Sequence, residues 1–425
     1  MTISRPITWY SVAVAMALWS GATVQAREPR ETTRLPWVGT WAASPQPFMP
    51  GSLETYQNQS LRLIVHTSVA GTMIRVKISN LYGDRPLRIG GAHVARRTVA
   101  ADIDSTTDRI LRFAGASSAI VPPGSMAVSD PVSLDIPALS DLAVSIFLPA
   151  TTKTTTSHFL AQQTSYVSTK TGDSTAAPAF PIAKTIDSWP FLTGVDVIST
   201  PSASVIVAFG DSTVDGDGTT PDSNHRWPDL LAARLQQGVG RETGVLNEGM
   251  IGNRLLLGSP REAKQFGAAL GEAGVTRFAR DALGQQGIRC VIVRLGVNDI
   301  AFPGAFTPSA ARVTAERLIS GYRQLIARAR QRGIRVIGTT LSPFEGVSIP
   351  GYYTAEKDAV RQQVNTWVRS SGEFDAVVDL DAVLRDPSHP SRLRPDYDSG
   401  DHLHTNDTGY AATANAIPLA LLGIA

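Results

Sequence analysis

The chain has 425 residues, enough for about two domains of ordinary size, and its 43% hydrophobic and 18% charged residues are typical of a soluble globular protein. Its formal net charge of +2 indicates neither nucleic acid nor an anionic surface as a partner. A single cysteine, Cys290, excludes an intramolecular disulfide. Because Cys290 lies in an apolar strand pattern, it is predicted to be a buried packing residue.

Residues 1–26 are predicted to be a cleaved secretory signal peptide. Arg5 precedes an apolar core at residues 7–19, and Val24-Gln25-Ala26 provides the small-residue cleavage site. Cleavage removes one arginine and no acid, so the formal net charge falls from +2 to +1. No cysteine lies near Ala26 to carry a lipid anchor. The mature protein is therefore expected to be secreted or periplasmic and to contain no integral membrane segment.

Residues 35–168 are predicted to form an N-terminal β-sandwich or jelly-roll-like domain. Ile74, Val76 and Ile78 alternate with polar residues, and residues 142–148 repeat the alternation, as half-buried antiparallel strands do. Turn sequences rich in Gly, Pro and Asp separate the predicted strands. Seven-strand sandwiches and jelly rolls both show this pattern, so the pattern does not select a topology.

The aromatic residues near the start of this domain have two interpretations. Trp37, Trp41, Phe48 and Tyr56 could form a platform on which sugars stack, or they could fill the sandwich core. Aromatic residues at this density more often fill a core, so we favour the second interpretation.

Residues 169–203 are rich in Thr, Ser, Pro and Ala and are predicted to be a linker, docked by Trp189-Pro190-Phe191. In residues 204–425, apolar strand patterns alternate with helical ones. The predicted elements are strands at Val205–Phe209, Val245–Asn247, Cys290–Leu295, Val336–Leu341 and Ala376–Asp379, and helices at Pro228–Gln237, Ala310–Arg332, Thr354–Arg369 and Asn406–Ile417. The alternation predicts a parallel sheet in a three-layer α/β/α, flavodoxin-like domain.

Ser212 is the candidate nucleophile. The run Val205–Phe209 has no polar face, which is typical of a strand buried on both sides, and Gly210-Asp211-Ser212 follows it directly. A hydroxyl just past the carboxyl end of a parallel strand stands where open α/β sheets bind ligands. Gly172-Asp173-Ser174 repeats the tripeptide, but it lies in a polar stretch with no strand to hold a serine rigidly.

Serine needs an adjacent base, which a third group must orient. Asp-x-x-His occurs three times, as Asp222–His225, Asp386–His389 and Asp401–His404. The first lies in a loop entering a helix, and the second lies between two prolines. Only the third directly precedes a capped helix start, at residues 405–410, so we favour Asp401 and His404.

Four sequence blocks between residues 205 and 417 resemble those of the SGNH/GDSL hydrolase superfamily of esterases. In chain order they are Gly210-Asp211-Ser212, Asn247-Glu248-Gly249-Met250-Ile251-Gly252-Asn253, Gly296-Val297-Asn298-Asp299 and Asp401-His402-Leu403-His404. The first block continues as Thr213-Val214-Asp215-Gly216, which departs from the commoner Ile-Thr-Asp-Gly by substitution. Secreted members with a stretch similar to residues 39–45 carry a β domain packed on the catalytic one.

The resemblance implies a serine esterase without a cofactor. Ser212 would be the nucleophile, His404 the base and Asp401 the group that orients it. The Ser212 N–H, the Gly252 N–H and the Asn298 amide would form the oxyanion hole, because ester attack builds negative charge on oxygen. The substrate would be a small-molecule or glycan-linked carboxylic ester. The loops expected to line its pocket are Leu255–Phe266, Ile300–Thr307 and Pro343–Tyr353, and they carry no pattern that identifies the acyl chain or the alcohol.

No metal is expected. Asp211, Asp215 and Asp217 lack the ligand spacing of an EF-hand, and the sequence has no zinc pattern. It also has no Gly-x-Ser-x-Gly elbow, which argues against the α/β-hydrolase route to the same chemistry. Asp215 is expected to hydrogen-bond nearby backbone instead. Two alternatives remain: a carbohydrate deacetylase acting on acetylated polysaccharide, and a non-catalytic glycan-binding protein.

Overall fold

The computed structural model describes residues 37–170, 172–238, 242–307 and 312–423. The predicted signal peptide, the first two residues of the predicted β domain and the last two residues of the chain lie outside these ranges. None of the helices in the described ranges is long and apolar enough to cross a membrane.

Residues 37–198, hereafter the β-rich region, contain antiparallel strands. The strands are β1 (Trp37–Ala42), β2 (Gln46–Pro47), β3 (Thr55–Tyr56), β4 (Gln59–His66), β5 (Gly71–Ser79), β6 (Leu87–Ile89), β7 (Gly91–Arg96), β8 (Arg109–Ile110), β9 (Ala119–Val121), β10 (Met126–Val128), β11 (Val132–Ile136), β12 (Asp141–Leu148), β13 (Thr152–Lys153), β14 (Thr156–Ser157), β15 (Ser165–Ser168), β16 (Ile182–Ile186) and β17 (Leu192–Ile198).

Two larger sheets dominate this region. One has the order β1-β17-β5-β10, with β11 also paired to β5, and the other has the order β16-β15-β4-β12-β7-β8. Ile74 and Val76 of β5 and Leu61 and Leu63 of β4 belong to one buried hydrophobic cluster. The two sheets therefore share a core, as the alternating apolar residues predict.

The second face of β12 differs from the prediction of a half-buried strand. Ala143, on that face, is 1% exposed and packs in a small cluster with Ile64, Ile103 and Phe180. The guanidinium carbon of the buried Arg62 lies 4.4 Å from the Phe180 ring centroid. Chain segments near residues 101–103 and 175–180 cover this face, so both sides of β12 are buried.

The predicted linker at residues 169–203 is corrected by the structure, because it contains two strands. β16 pairs with β15, and β17 pairs with both β1 and β5. Most of β16 is exposed, which explains its polar composition. Trp189 does dock this segment: its Nε1 donates to the Ile64 carbonyl oxygen at 2.8 Å, and its ring meets Trp41 edge-on.

Two of the four aromatic residues considered for sugar stacking lie in the core. Trp41 and Tyr56 are 4% and 1% exposed, whereas Phe48 is exposed. The Arg75 guanidinium covers the ring of Trp37. These residues therefore form no common exposed platform, and the core interpretation agrees with the positions of Trp41 and Tyr56.

Residues 204–423, hereafter the α/β region, alternate strands and helices. The elements are β18 (Ser204–Gly210), α1 (Ser212–Asp215), α2 (Trp227–Gln236), β19 (Thr243–Glu248), α3 (Gly274–Asp281), β20 (Ile288–Arg294), α4 (Val297–Ala301), α5 (Ala315–Arg330), β21 (Arg335–Thr339), α6 (Ala355–Ser370), β22 (Ala376–Val378), α7 (Leu380–Leu384) and α8 (Asp407–Asn415). Short 3-10 helices lie at Ser105–Thr107, Pro395–Tyr397 and Leu419–Leu422.

The five strands of the α/β region form a parallel sheet in the order β19-β18-β20-β21-β22. Side chains of β18 point alternately to two cores: Val205, Val207 and Phe209 to one, and Ile206 and Ala208 to the other. Buried residues of α3, α5 and α6 belong to the first core, and those of α2, α7 and α8 belong to the second. The predicted three-layer α/β/α fold is confirmed.

The β-rich and α/β regions belong to one compact unit. The Gly39 N–H donates to the Gln286 carbonyl oxygen at 3.1 Å, and the Val245 N–H donates to Ser68 Oγ at 3.0 Å. The two regions are thus joined by buried polar contacts. Cys290 is buried in the second core, where burial raises the pKa of its thiol to about 12.

Candidate active site

The turn from β18 into α1 presents the hydroxyl of Ser212. Asp211 caps the helix, with its carboxylate accepting from the Thr213 N–H at 3.0 Å and from the Thr213 hydroxyl at 2.7 Å. A Cβ on Gly210 would lie 2.1 Å from the carbonyl oxygen of Arg294 on the neighbouring strand, so only glycine fits. The capped turn therefore holds Ser212 at the carboxyl edge of the sheet.

His404 and Asp401 form a hydrogen-bonded chain with Ser212. His404 Nε2 lies 2.7 Å from Ser212 Oγ, and His404 Nδ1 lies 2.5 Å from Asp401 Oδ2. The other oxygen of Asp401 accepts the backbone N–H groups of Leu403 and His404 at 2.9 and 2.8 Å. The loop ends at Asn406, whose side chain accepts from the Gly409 N–H and caps α8.

Burial and hydrogen bonding shift the pKa values of His404 and Asp401 in opposite directions. Burial lowers its pKa, but the hydrogen bond to Asp401 and the nearby carboxylates outweigh this effect and raise the pKa above the ordinary value. For Asp401, burial raises the pKa, but the hydrogen bonds from His404 outweigh it and lower the pKa. With Nδ1–H donating to an ionised Asp401, Nε2 of neutral His404 can accept the proton of Ser212.

The three carboxylates considered for a cation loop have separate partners. Asp211 bonds to Thr213, and Asp217 Oδ2 lies 3.6 Å from His404 Nε2. Asp215, expected to bond nearby backbone, accepts the Ile251 N–H and also contacts His158 of the β-rich region. Across the described ranges, no group of three or more His, Cys, Asp or Glu side chains is arranged to hold a metal ion.

The expected oxyanion donors follow three adjacent strands. Ser212 follows β18, Gly252 follows β19 and Asn298 follows β20, so all come from the carboxyl edge of the sheet. Gly252 has a φ of +66°, a left-handed conformation that favours glycine. Among the residues that the structure describes, neither the Ser212 N–H nor the Gly252 N–H donates to a protein acceptor. Both donors can therefore bind a ligand oxygen.

The Asn298 amide is fixed by two hydrogen bonds. Its Nδ2 donates to the Asn253 carbonyl oxygen at 3.0 Å, and its Oδ1 accepts from the Tyr352 hydroxyl at 3.0 Å. The first bond uses one of the two Nδ2 hydrogens and leaves the other for a ligand. Sequence reasoning placed Tyr352 only in a pocket-lining loop, because nothing near it in the chain indicates Asn298 as its partner.

The alternative serine and histidines lack this arrangement. The backbone N–H of Ser174 donates to a hydroxyl of β4 in the β-rich region. His225 Nδ1 lies 2.8 Å from Asp407, and His389, whose side chain is 66% exposed, lies 3.6 Å from Asp386. Of the three Asp-x-x-His pairs, the structure brings only the third to a candidate nucleophile.

A cleft of about 1120 Å³ begins beside the candidate oxyanion loop. Arg254 follows Asn253 in the chain and lines the cleft together with residues 257–262. This segment falls within the loop 255–266 that the sequence predicts to line the substrate pocket. Pro47 and Tyr82 of the β-rich region also line the cleft.

Comparison with known proteins identifies one family and several similar structures. The model of the GDSL-like Lipase/Acylhydrolase family matches residues 208–412. An aryl esterase from M. smegmatis is 17% identical, with 52% of this chain and 100% of that chain covered and a TM-score of 0.40. A lipase/acylhydrolase from Enterococcus faecalis is 19% identical (50% and 92% covered, TM-score 0.37), and a GDSL-like lipase from Bacteroides thetaiotaomicron is 15% identical (52% and 90% covered, TM-score 0.37). No curated protein matches the chain.

Proposed function

Because this chain belongs, through residues 208–412, to the GDSL-like lipase/acylhydrolase family, it is a carboxylic ester hydrolase, and we propose that it works through Ser212, His404 and Asp401. The supporting observation is the hydrogen-bonded chain from Ser212 Oγ through the imidazole to the Asp401 carboxylate. In such a chain the histidine accepts the proton of the serine. The carboxylate holds the histidine in the tautomer that can accept this proton.

In the proposed first step, Ser212 Oγ attacks the ester carbonyl carbon as His404 Nε2 takes its proton. Negative charge collects on the carbonyl oxygen, where the N–H groups of Ser212 and Gly252 and the free hydrogen of Asn298 Nδ2 stabilise it. Collapse of this intermediate transfers the proton from His404 to the departing alcohol and leaves an acyl group on Ser212. Water, deprotonated by the same imidazole, then releases the acid and restores the enzyme.

Covalent labelling tests the nucleophile directly. A fluorophosphonate probe should modify Ser212, and peptide mapping should recover the label on the peptide that contains residues 210–218. Ser174 supplies the matched comparison, because it follows the same Gly-Asp sequence. A label on Ser174 with none on Ser212 would refute the assignment.

Acetylated polysaccharide is the second candidate substrate, and the cleft beside Arg254 supports it. The cleft of about 1120 Å³ includes Pro47 and Tyr82 of the β-rich region in its lining, so it has room for a polymeric alcohol that contacts both regions. Rates on p-nitrophenyl esters of increasing acyl length, compared with acetate release from acetylated xylan, distinguish the candidates. A carbohydrate deacetylase would prefer acetyl groups and the polymeric alcohol.

We also propose that the enzyme is exported to the periplasm or the medium, since residues 1–26 have the composition of a signal peptide. The mature N-terminus should then be Arg27. Cell fractionation followed by N-terminal sequencing tests this, and a cytoplasmic protein that begins at Met1 would refute it.

A further inference from the structure

A buried histidine of the β-rich region contacts the nucleophile helix. His158 lies between β14 and β15, and its side chain is 3% exposed. Its Nδ1 lies 2.9 Å from the Ser44 carbonyl oxygen, and its Nε2 lies 2.8 Å from Asp215 Oδ1 on α1. Asp215 is itself 1% exposed. The contact therefore joins the two regions in a site closed to water.

Both ring nitrogens of His158 face acceptors. A carbonyl oxygen and an ionised carboxylate can each accept a hydrogen bond but cannot donate one. Both ring nitrogens of His158 must therefore donate. This requires an imidazolium, which the carboxylate of Asp215 neutralises. Burial lowers the pKa of His158, but Asp215 and the Ser44 carbonyl outweigh burial and raise it. The charged groups that face the ring are Asp215 on α1 and Arg226 before α2, and Arg226 opposes the rise.

The second oxygen of Asp215 holds the candidate oxyanion loop. Asp215 Oδ2 accepts the backbone N–H of Ile251 at 2.9 Å, and Ile251 directly precedes Gly252. Asp215 also lies in α1, the helix that begins with Ser212. One carboxylate thus fixes the distance between the nucleophile and an oxyanion donor. Its own orientation depends on His158.

Ser44 makes a second connection from the β-rich region to the same loops. Its hydroxyl accepts from Arg277 Nη1 at 2.9 Å. The Arg277 guanidinium also donates through Nη2 to the Gly210 carbonyl oxygen at 2.7 Å and through Nε to Asn253 Oδ1 at 3.0 Å. Gly210 precedes the nucleophile turn, and Asn253 follows Gly252. The β-rich region therefore contacts both catalytic loops through buried polar groups.

We propose that His158 is a positioning residue for ester hydrolysis: as a doubly protonated imidazolium it holds Asp215, which sets the oxyanion loop against the nucleophile helix. This inference rests on the proposed function of Ser212 and Gly252. It gives the β-rich region a role inside the catalytic machinery. Misplacement of reacting groups by about 1 Å can cost about 10²-fold in rate, so the loss of His158 should lower kcat on that scale.

The test compares His158→Gln with His66→Gln. His66 makes the same kind of contact in the β-rich region, with Nδ1 2.7 Å from Asp141, and has no part in the site. Both variants are checked by thermal unfolding and assayed for kcat and KM on p-nitrophenyl acetate. His158→Gln should lose about 10²-fold in kcat with a smaller change in KM, whereas His66→Gln should keep wild-type kinetics.

Two further measurements test the proposal if His158→Gln does not fold. Asp215→Asn should show the same loss in kcat, and adding His158→Gln to it should cost little more, because the two residues act as a unit. In the wild-type enzyme, nitrogen NMR should show both His158 ring nitrogens protonated above the pH at which exposed imidazoles are neutral. The signal can be assigned to His158 through its contact with the Trp189 ring, because the two ring centroids lie 5.6 Å apart.

The outcomes separate the two proposals. If the wild-type enzyme hydrolyses no ester, the proposed function fails and this inference fails with it. If the wild type is active but a folded His158→Gln retains its kcat, only this inference fails. A neutral His158 ring at neutral pH would also overturn it. A folded His158→Gln with reduced kcat beside a normal His66→Gln supports it.

Discussion

Replacing Asp401 by asparagine tests the base and its orientation together. Asparagine keeps the size of the side chain and one oxygen, which can still accept the N–H groups of Leu403 and His404 that Asp401 Oδ1 accepts at 2.9 and 2.8 Å. The amide NH₂ then replaces the oxygen 2.5 Å from His404 Nδ1. An NH₂ group cannot accept a hydrogen bond, so the imidazole must carry its proton on Nε2. In that tautomer it cannot accept the proton of Ser212.

The expected loss in kcat is about 10⁴-fold, the scale found when a triad histidine is held in the wrong tautomer. The pH dependence should change as well. In the proposed mechanism neutral His404 is the base, so kcat/KM should rise with pH through the pKa of His404. Burial lowers this pKa and the bond to Asp401 is the main effect that raises it. In Asp401→Asn, the acid limb of the residual activity should therefore move to lower pH.

The assay is kcat/KM on p-nitrophenyl acetate across pH for the wild type, Asp401→Asn and Asp386→Asn. Asp386 is the matched control, because it forms an Asp-x-x-His pair whose histidine hydrogen-bonds to no serine within the described ranges. Thermal unfolding establishes that each variant folds. Near-normal activity of Asp401→Asn beside an inactive Asp386→Asn would refute our assignment of the base. An acid limb that stays in place would show that Asp401 does not set the pKa of His404.

Ser212→Ala should abolish turnover and Ser174→Ala should retain it, because Ser212 Oγ lies 2.7 Å from His404 Nε2, whereas no imidazole in the described part of the chain bonds to Ser174; steady-state rates of both variants decide. Asn298→Ala should lower kcat by about 10²–10³-fold with a smaller change in KM, whereas a loss in KM alone would make Asn298 a binding residue. Tyr352→Phe removes the hydroxyl that holds Asn298 and should cost about tenfold in kcat, the worth of one neutral hydrogen bond; an unchanged kcat would argue against this support. EDTA should leave the rate unchanged, since no proposed step uses a metal, and a loss restored by Ca²⁺ would revive the cation loop at residues 211–217.

The parallel sheet could be predicted because its strands are continuous apolar runs. The predicted strand Val205–Phe209 lies within β18, and Cys290–Leu295 overlaps β20. Strands buried on both faces need no partner to be recognised. Helices α4 and α7 have five residues each, too few for an apolar stripe to repeat, and they were not predicted. Helix α3 was also missed, since its glycine start carries no capping side chain.

The strands inside the predicted linker could not be recognised from composition. β16 is an edge strand with mostly exposed side chains, and such a strand has the polar composition of a loop. β17 does contain buried Val195 and Val197, but its partners are β1 and β5, far away in the sequence. The Thr- and Pro-rich residues around β17 indicate a linker. The short apolar alternation within β17 identifies a strand only once its pairing with distant strands is known.

The candidate site likewise contains residues that local sequence predicts and residues that depend on distant contacts. Ser212 and His404 could be proposed because each adjoins a local structure that the sequence reveals, a strand end for one and a capped helix start for the other. The groups that hold the site come from elsewhere: His158 is 57 residues from Asp215 and 114 residues from Ser44. A lone histidine in a β pattern carries no sign of such partners, and its charge follows only from the two acceptors that face it. Burying that charge is costly unless it is paired, so the pairing with Asp215 constrains both regions at once. On our proposal, the position of the candidate oxyanion loop therefore depends on a residue that lies outside every catalytic motif of the chain.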